Sequence, residues 1–213
     1  RPTPSARTPW GCAGAAAYGV ACDGPRAYLA DGAAGLQILD LGDPAGPVLL
    51  GYDATVRLAG PGGERSVDIN DWFVGVRETV RSDDEIVTAL DIEVRRHGGV
   101  YVKLMRYAGE DLAQAAVGVV VYPDNEYRVA FGAVASKPFR SSRIEQALQG
   151  RPLGESLVAE VVGMVGDEIS PITDMRATAE YRTRMTEIML ERGLWEAVER
   201  FNGAGSDYGV RLI

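Results

Sequence analysis

The segment Gly99-Val-Tyr-Val-Lys-Leu-Met alternates in a way that matters for chemistry. In an extended chain it turns Tyr101 and Lys103 to one face and Val100, Val102 and Leu104 to the other. That is an odd pairing for a plain core strand, because it leaves an aromatic ring and an ammonium side by side. Taken singly, Tyr101 reads as a half-buried sheet residue and Lys103 as a solvated strand lysine. Arg106 and Asp111, just beyond, read as a surface ion pair of little energetic weight. The remaining titratable residues point to less. Asp83-Asp84 falls in a turn, and His97, the only histidine, lies in a basic, Gly-rich loop and reads as solvated. Cys12 and Cys22 lack metal-ligand spacing, so neither a zinc site nor a disulfide framework is expected. No catalytic acid, base or nucleophile and no metal ligand set is assigned.

The elements that must position Tyr101 and Lys103 are legible on either side. Ala54-Thr-Val-Arg-Leu and Arg65-Ser-Val-Asp-Ile alternate, and Gly60-Pro-Gly-Gly between them predicts a hairpin, with Trp72-Phe73 following as an apolar anchor. Glu85 to Val94 reads as the next strand. The valine-rich run from Ala113 to Tyr122 is short and β-branched, which favours a buried strand; Pro123-Asp-Asn turns the chain and Tyr127 to Ala135 returns. The end of the chain is helical. Ser141-Ser142 can cap a helix, with Glu145 at capping-box spacing from Ser142, and that helix stops at Gly150. A second helix carries Leu157, Val158, Val161, Val162 and Val165 on one stripe. A third begins near Asp174 as its cap, with Tyr181, Met185, Ile188 and Met189 inward and Arg182, Arg184, Glu187, Glu191 and Arg192 outward, ending at Gly193 or Gly203. Strands first and helices after predict an α+β fold, a small antiparallel sheet with helices packed on one face, preceded by a short β-rich segment. No Gly-rich turn leads from a strand into a helix, so a Rossmann fold is not expected.

Composition narrows the function classes. The chain has 213 residues and a formal net charge of −8, which argues against phosphate-driven nucleic-acid binding. No apolar run approaches the ~20 residues that cross a bilayer. The Pro-rich start has no apolar signal-peptide core, and the cytoplasm is the default compartment.

Several of these segments, in this order, resemble the C-terminal half of the FAD-carrying medium subunit of the molybdenum hydroxylases, the carbon monoxide dehydrogenase and xanthine dehydrogenase group. The resemblance begins at Asp53-Ala-Thr-Val-Arg-Leu-Ala-Gly-Pro-Gly-Gly-Glu-Arg-Ser-Val and continues through Asp71-Trp-Phe-Val-Gly and Asp83-Asp-Glu-Ile-Val. It then takes in Tyr101-Val-Lys-Leu-Met-Arg, Gly109-Glu-Asp-Leu-Ala, Glu145-Gln-Ala-Leu-Gln-Gly and Pro171-Ile-Thr-Asp-Met-Arg-Ala-Thr-Ala-Glu-Tyr-Arg. The resemblance implies a chain that takes electrons from the clusters of an iron–sulfur small subunit, beside a molybdenum-cofactor large subunit, and passes them through FAD to an acceptor. By matching position it implies Tyr101 against the isoalloxazine ring, Lys103 near the ring and its acceptor side, and Arg106, Glu110 and Asp111 in the adjoining loop. A flat aromatic can stack on a flavin, and a cation favours the charge of a reduced ring. The alternative is a non-enzymatic assembly module of the same fold that does not bind FAD by itself.

The first 52 residues depart from that pattern. The two glycine-rich stretches that would grip the FAD phosphates are not found; Gly42-Asp-Pro-Ala-Gly-Pro resembles only the tail of one. Instead, Ala27-Tyr-Leu-Ala-Asp-Gly-Ala-Ala-Gly-Leu-Gln-Ile-Leu-Asp resembles a single LVIVD-type repeat of β-propellers, whereas at least ~3 repeats are needed for such a fold. A pair of strands laid on the α+β domain, or a loosely held extension, is expected there. The resulting division is a lead-in at 1–19, a β-rich segment at 20–52 and a hairpin and linker strand at 53–96. A flavoprotein domain of the kind that ends the medium subunits follows at 97–200, with a tail at 201–213.

Overall fold

The computed structural model describes residues 17–23, 26–31, 35–40, 45–93, 95–106, 112–206 and 212. The Pro-rich start with Cys12, the turn at 32–34, Gly42 to Pro44, Glu110 and Asp111 in the candidate loop, and most of the tail lie outside the described residues.

Strands β1 (Ala17–Asp23), β2 (Arg26–Asp31) and β3 (Gly35–Asp40) form an antiparallel sheet in that order. Two of these strands match the expected pair, and β1 is added to them. Helix α1 (Ala45–Gly51) leads into β4 (Thr55–Gly60) and β5 (Gly63–Asp68), the hairpin that Gly60-Pro-Gly-Gly predicts. Gly63 takes a φ of 107°, a conformation that glycine adopts without strain. Next come α2 (Ile69–Trp72), the short ribbon of β6 (Phe73–Gly75) and β7 (Glu78–Thr79), and β8 (Ile86–Asp91), which pairs with β4 and lies beside β1. Leu49, Leu50, Val56, Leu58, Ile69, Trp72, Phe73 and Val87 bury together between α1 and the β5–β4–β8 sheet.

A four-stranded sheet has the order β12–β11–β10–β9, built from β9 (Gly98–Leu104), β10 (Ala115–Tyr122), β11 (Glu126–Gly132) and β12 (Phe139–Arg140). Every residue of β10 is buried. Its valines Val117, Val119 and Val121 face a core shared with Val100, Val102, Tyr127, Val129 and Phe131 and roofed by the helices. These are α3 (Ser142–Leu148), α4 (Glu155–Val162), α5 (Val165–Glu168) and α6 (Ala179–Phe201). The opposite face is lined by Ala116, Gly118, Ala130 and Gly132, and α1 lies on it. A Cβ on Gly118 would come within 2.9 Å of the Pro47 carbonyl oxygen, and one on Gly132 within 2.7 Å of Pro47 Cγ. These small residues let the backbone of α1 settle on the strands. The helices predicted for one face are there, with α1 added on the other.

Ion pairs fasten the layers. Asp53, at the end of α1, binds Arg128 at 3.0 Å and also Arg140, which binds Glu145 at 2.6 Å. Burial works against the charge of Arg140, yet the hydrogen bond it donates to Glu145 raises its pKa above the ordinary value. Among the described residues, no helix is long and apolar enough to cross a membrane.

Several helix details differ from the sequence expectation. Ser141 caps α3 by accepting from the Ile144 N–H at 3.2 Å, but no capping box forms. Glu145 instead accepts from the Val129 N–H at 2.9 Å and from Arg140. The long helix starts at Thr178, not Asp174: the Thr178 hydroxyl accepts from the Tyr181 N–H at 3.2 Å. It runs through Gly193, which packs on Val119, and ends before Gly203, with φ of 78°. Its faces are also rotated. Tyr181 is 48% exposed, whereas Arg182 is buried at 1%. Asp174 organises the preceding turn, accepting from the N–H groups of Arg176 at 2.8 Å and Ala177 at 3.1 Å and from both guanidiniums nearby.

This packing can be tested in two ways. Gly118→Val drives a branched side chain into the Pro47 carbonyl and should cost about 1–3 kcal/mol in urea unfolding. Gly154→Ala, where a Cβ meets nothing within 4 Å, should stay within about 0.5 kcal/mol. Equal midpoints for the two variants would refute the close packing of α1. The second test concerns pH. The Arg176 side-chain hydrogen bond, then its N–H, hold the Asp174 carboxyl well below the usual carboxylate range, against the opposing effect of burial. A depressed carboxylate contributes stability that is fully present above its unfolded pKa of about 3.9 and is lost as pH falls through the folded value. Amide-exchange protection of Arg176 and Ala177 should therefore persist through about pH 4 and fail only in stronger acid. Loss of protection near neutral pH would show that Asp174 does not hold the turn.

Candidate functional site

Strand β9 is the last strand of its sheet in the order β12–β11–β10–β9, and burial alternates along it without a break. Val100, Val102 and Leu104 point into the core, while Tyr101 and Lys103 are half-buried on the other face. The alternation read from sequence is therefore the geometry found. Across the sheet, Tyr101 is opposite Gly118 and Lys103 opposite Ala116. Neither neighbour has a side chain long enough to cover the ring or the ammonium. Pro47 of α1 sits over Gly118 and so borders the Tyr101 position from one side. Among the described residues, Lys103 pairs with no carboxylate. Arg106 follows the strand and is exposed. Asp111 lies outside the described residues. The structure thus brings Tyr101 and Lys103 together on one face, with Arg106 at the exit of the same strand.

The start of β9 is held by residues that the sequence did not link to it. His97 reads there as a solvated loop residue, yet its Nε2 meets the Tyr52 hydroxyl at 2.9 Å and its Nδ1 meets the Arg95 carbonyl oxygen at 2.8 Å. A carbonyl only accepts, so Nδ1 carries the proton and, in the neutral ring, Nε2 accepts from Tyr52. The His97 and Tyr52 rings stand edge to face at 5.0 Å. A Cβ on Gly99 would lie 2.7 Å from the Tyr52 hydroxyl, so only glycine lets that ring close over the strand. Arg95 stacks over the Tyr122 ring at 3.7 Å and binds Glu126 at 3.0 Å. Burial pushes the Tyr122 phenol up, against the lowering effect of Arg95, and its hydroxyl donates to the Gly51 carbonyl. From the helical side, Arg200 donates to the Gly99 carbonyl at 2.9 Å and pairs with Glu196 at 2.8 Å. Tyr52 carries no local motif that would have linked it to His97, 45 residues away.

One end of β9 is therefore locked, and toward the other an aromatic ring, an ammonium and a guanidinium succeed one another. Such a set can hold a flat, electron-accepting ring that becomes negatively charged on reduction: the aromatic stacks and the cations stabilise the charge. Among the described residues no group of His, Cys, Asp and Glu could hold a metal ion.

Comparison with known proteins identifies the family. Residues 100–197 match the family model of the CO dehydrogenase flavoprotein C-terminal domain. The chain is 32% identical over 162 residues to the glyceraldehyde dehydrogenase medium chain of Sulfolobus acidocaldarius, covering 72% of this chain and 57% of that one. It is 29% identical over 168 residues to the xanthine dehydrogenase FAD-binding subunit of Escherichia coli O157:H7, with coverage of 76% and 57%. The structure of reconstituted CO dehydrogenase from Oligotropha carboxidovorans superposes with a TM-score of 0.69 at 31% identity, covering 75% of this chain and 58% of that one. The chain thus spans a little over half the length of these relatives. Through the strand that carries Tyr101 and Lys103 and the helices that roof it, it belongs to the medium-subunit family of carbon monoxide dehydrogenase and xanthine dehydrogenase.

Proposed function

We propose that this chain is the flavin subunit of a molybdenum hydroxylase, or the C-terminal part of one, and that FAD lies against the outer face of β9. The observation that carries this is the placement of Tyr101 and Lys103 side by side on the face turned away from the core. Bound FAD would supply the redox chemistry, accepting electrons from the iron–sulfur clusters of a small subunit and passing them to an acceptor. Tyr101 stacks on the ring. Lys103 places its ammonium beside it and favours the negative charge that reduction adds. Arg106, just past the end of the strand, adds a second positive charge that raises the local potential, and Asp111 is assigned to the same site by matching position alone. Substrate is oxidised in a molybdenum-cofactor large subunit, so residues 97–200 act as the electron-transfer wall and docking domain.

A second reading takes the same fold as an assembly module that binds no FAD by itself. Titration with FAD, followed by the flavin absorption band, separates the two. The expected result is weak or absent uptake by this chain alone and full uptake once the partner subunits are present. Lys103→Ala should then lower the midpoint potential of the bound flavin by on the order of 30 mV for each 1.4 kcal/mol of stabilisation removed. No uptake in the complex would leave the assembly module as the reading, and an unchanged potential would remove Lys103 from the site.

A further inference from the structure

Arg182 lies in the first turn of α6, with its side chain 2% exposed. Its Nη1 donates to the Gln114 carbonyl oxygen at 2.6 Å and its Nη2 to Asp174 at 2.7 Å. The Gln114 N–H donates in turn to the Leu104 carbonyl at 2.9 Å, the contact that closes the base of the β9–β10 hairpin. One buried guanidinium therefore ties three segments: the helix start, the Asp174 turn and the closing peptide of the hairpin. Its Nε is buried without an acceptor among the described residues. For stability alone this is a poor arrangement. An apolar side chain of similar volume is often neutral or better than a buried ion pair, and an unmatched buried N–H adds a further cost. What the guanidinium does supply is geometry. Its planar fork spans two acceptors at a set angle, which the point charge of a lysine does not reproduce.

Residues 105–113 join Leu104 to Gln114. Lys103 is the neighbour of Leu104 in the strand, and Arg106 lies within the connection. We infer that Arg182 is a positioning residue for the flavin site: by holding Gln114, it fixes the end of the β9–β10 connection and so the placement of Lys103 and Arg106. Among the described residues, the hydrogen bonds of its side chain go to Gln114 and Asp174. The inference rests on the flavin-subunit reading and extends it to a residue on a different element.

The test uses the full chain with the partner subunits that flavin uptake requires. Arg182→Met removes the charge at similar length, Arg182→Lys keeps the charge without the fork, and Val161→Ala is a core control in α4. Hydrogen exchange at the Gln114 amide, the FAD dissociation constant and the midpoint potential of bound flavin are read for each. Both Arg182 variants should speed Gln114 exchange and weaken FAD binding by about tenfold or more, with a shifted potential, while Val161→Ala moves none of the three. Unchanged Gln114 exchange overturns the inference. So does faster exchange with unaltered FAD affinity and potential, which would make the role structural only, and so does an equal response in Val161→Ala. A wild-type complex that takes up no FAD sinks the flavin reading and this inference with it. A wild type that binds FAD, with Arg182 variants that bind it equally well, sinks the inference alone.

Discussion

The close approach of α1 to the small-residue face of β10 and β11 is the contact on which the rest of the structure depends. Strand β10 is buried along its whole length and must satisfy two different neighbours. Toward α3–α6 it presents valines, each a gain of about 1.5–3 kcal/mol when fully buried. Toward α1 it presents Ala116 and Gly118, so the helix backbone rests on the strand with Pro47 in van der Waals contact. That approach carries Leu49 and Leu50 into the core shared with Trp72 and Phe73. It also brings Asp53 within reach of Arg128 and Arg140. The β5–β4–β8 sheet and the β12–β11–β10–β9 sheet are joined through this helix.

The same small residues shape the candidate site. Because Gly118 and Ala116 stand opposite Tyr101 and Lys103, the outer face of β9 is shallow beside the ring and the ammonium. At the other end of the strand, Tyr52 and His97 close over Gly99. Packing thus sets Tyr101 and Lys103 side by side, half-buried, on the last strand of the β12–β11–β10–β9 sheet.

Arginine does most of the fastening. Arg140, Arg182 and Arg200 each join segments far apart in sequence, Arg140 by pairing with Asp53, Arg182 by donating to the Gln114 carbonyl and Arg200 by donating to the Gly99 carbonyl. Lys103 differs from them: among the described residues its charge is balanced by no carboxylate. A positive charge left uncompensated in a half-buried position favours an anionic neighbour. In the flavin reading, that neighbour is the reduced ring.

Much of this was legible in the residues themselves. Period-two alternation placed Tyr101 and Lys103 on one face, Gly60-Pro-Gly-Gly marked the β4–β5 hairpin, and Ser141 and Gly203 marked helix ends, because each of these signals is local. The tertiary structure decided the rest. Thr178 outcompeted Asp174 as the cap of α6 because Asp174 is engaged by Arg176 and Arg182. Arg182 turned inward and Tyr181 outward because a carbonyl 68 residues away at Gln114 and a carboxylate at Asp174 satisfy the guanidinium in the core. Hydrophobic periodicity takes an arginine as outward-facing and cannot register a distant acceptor that reverses the preference. His97 gained Tyr52 in the same way. The sequence by itself determined which residues share each face of β9, and only the folded chain decided what holds that strand in place.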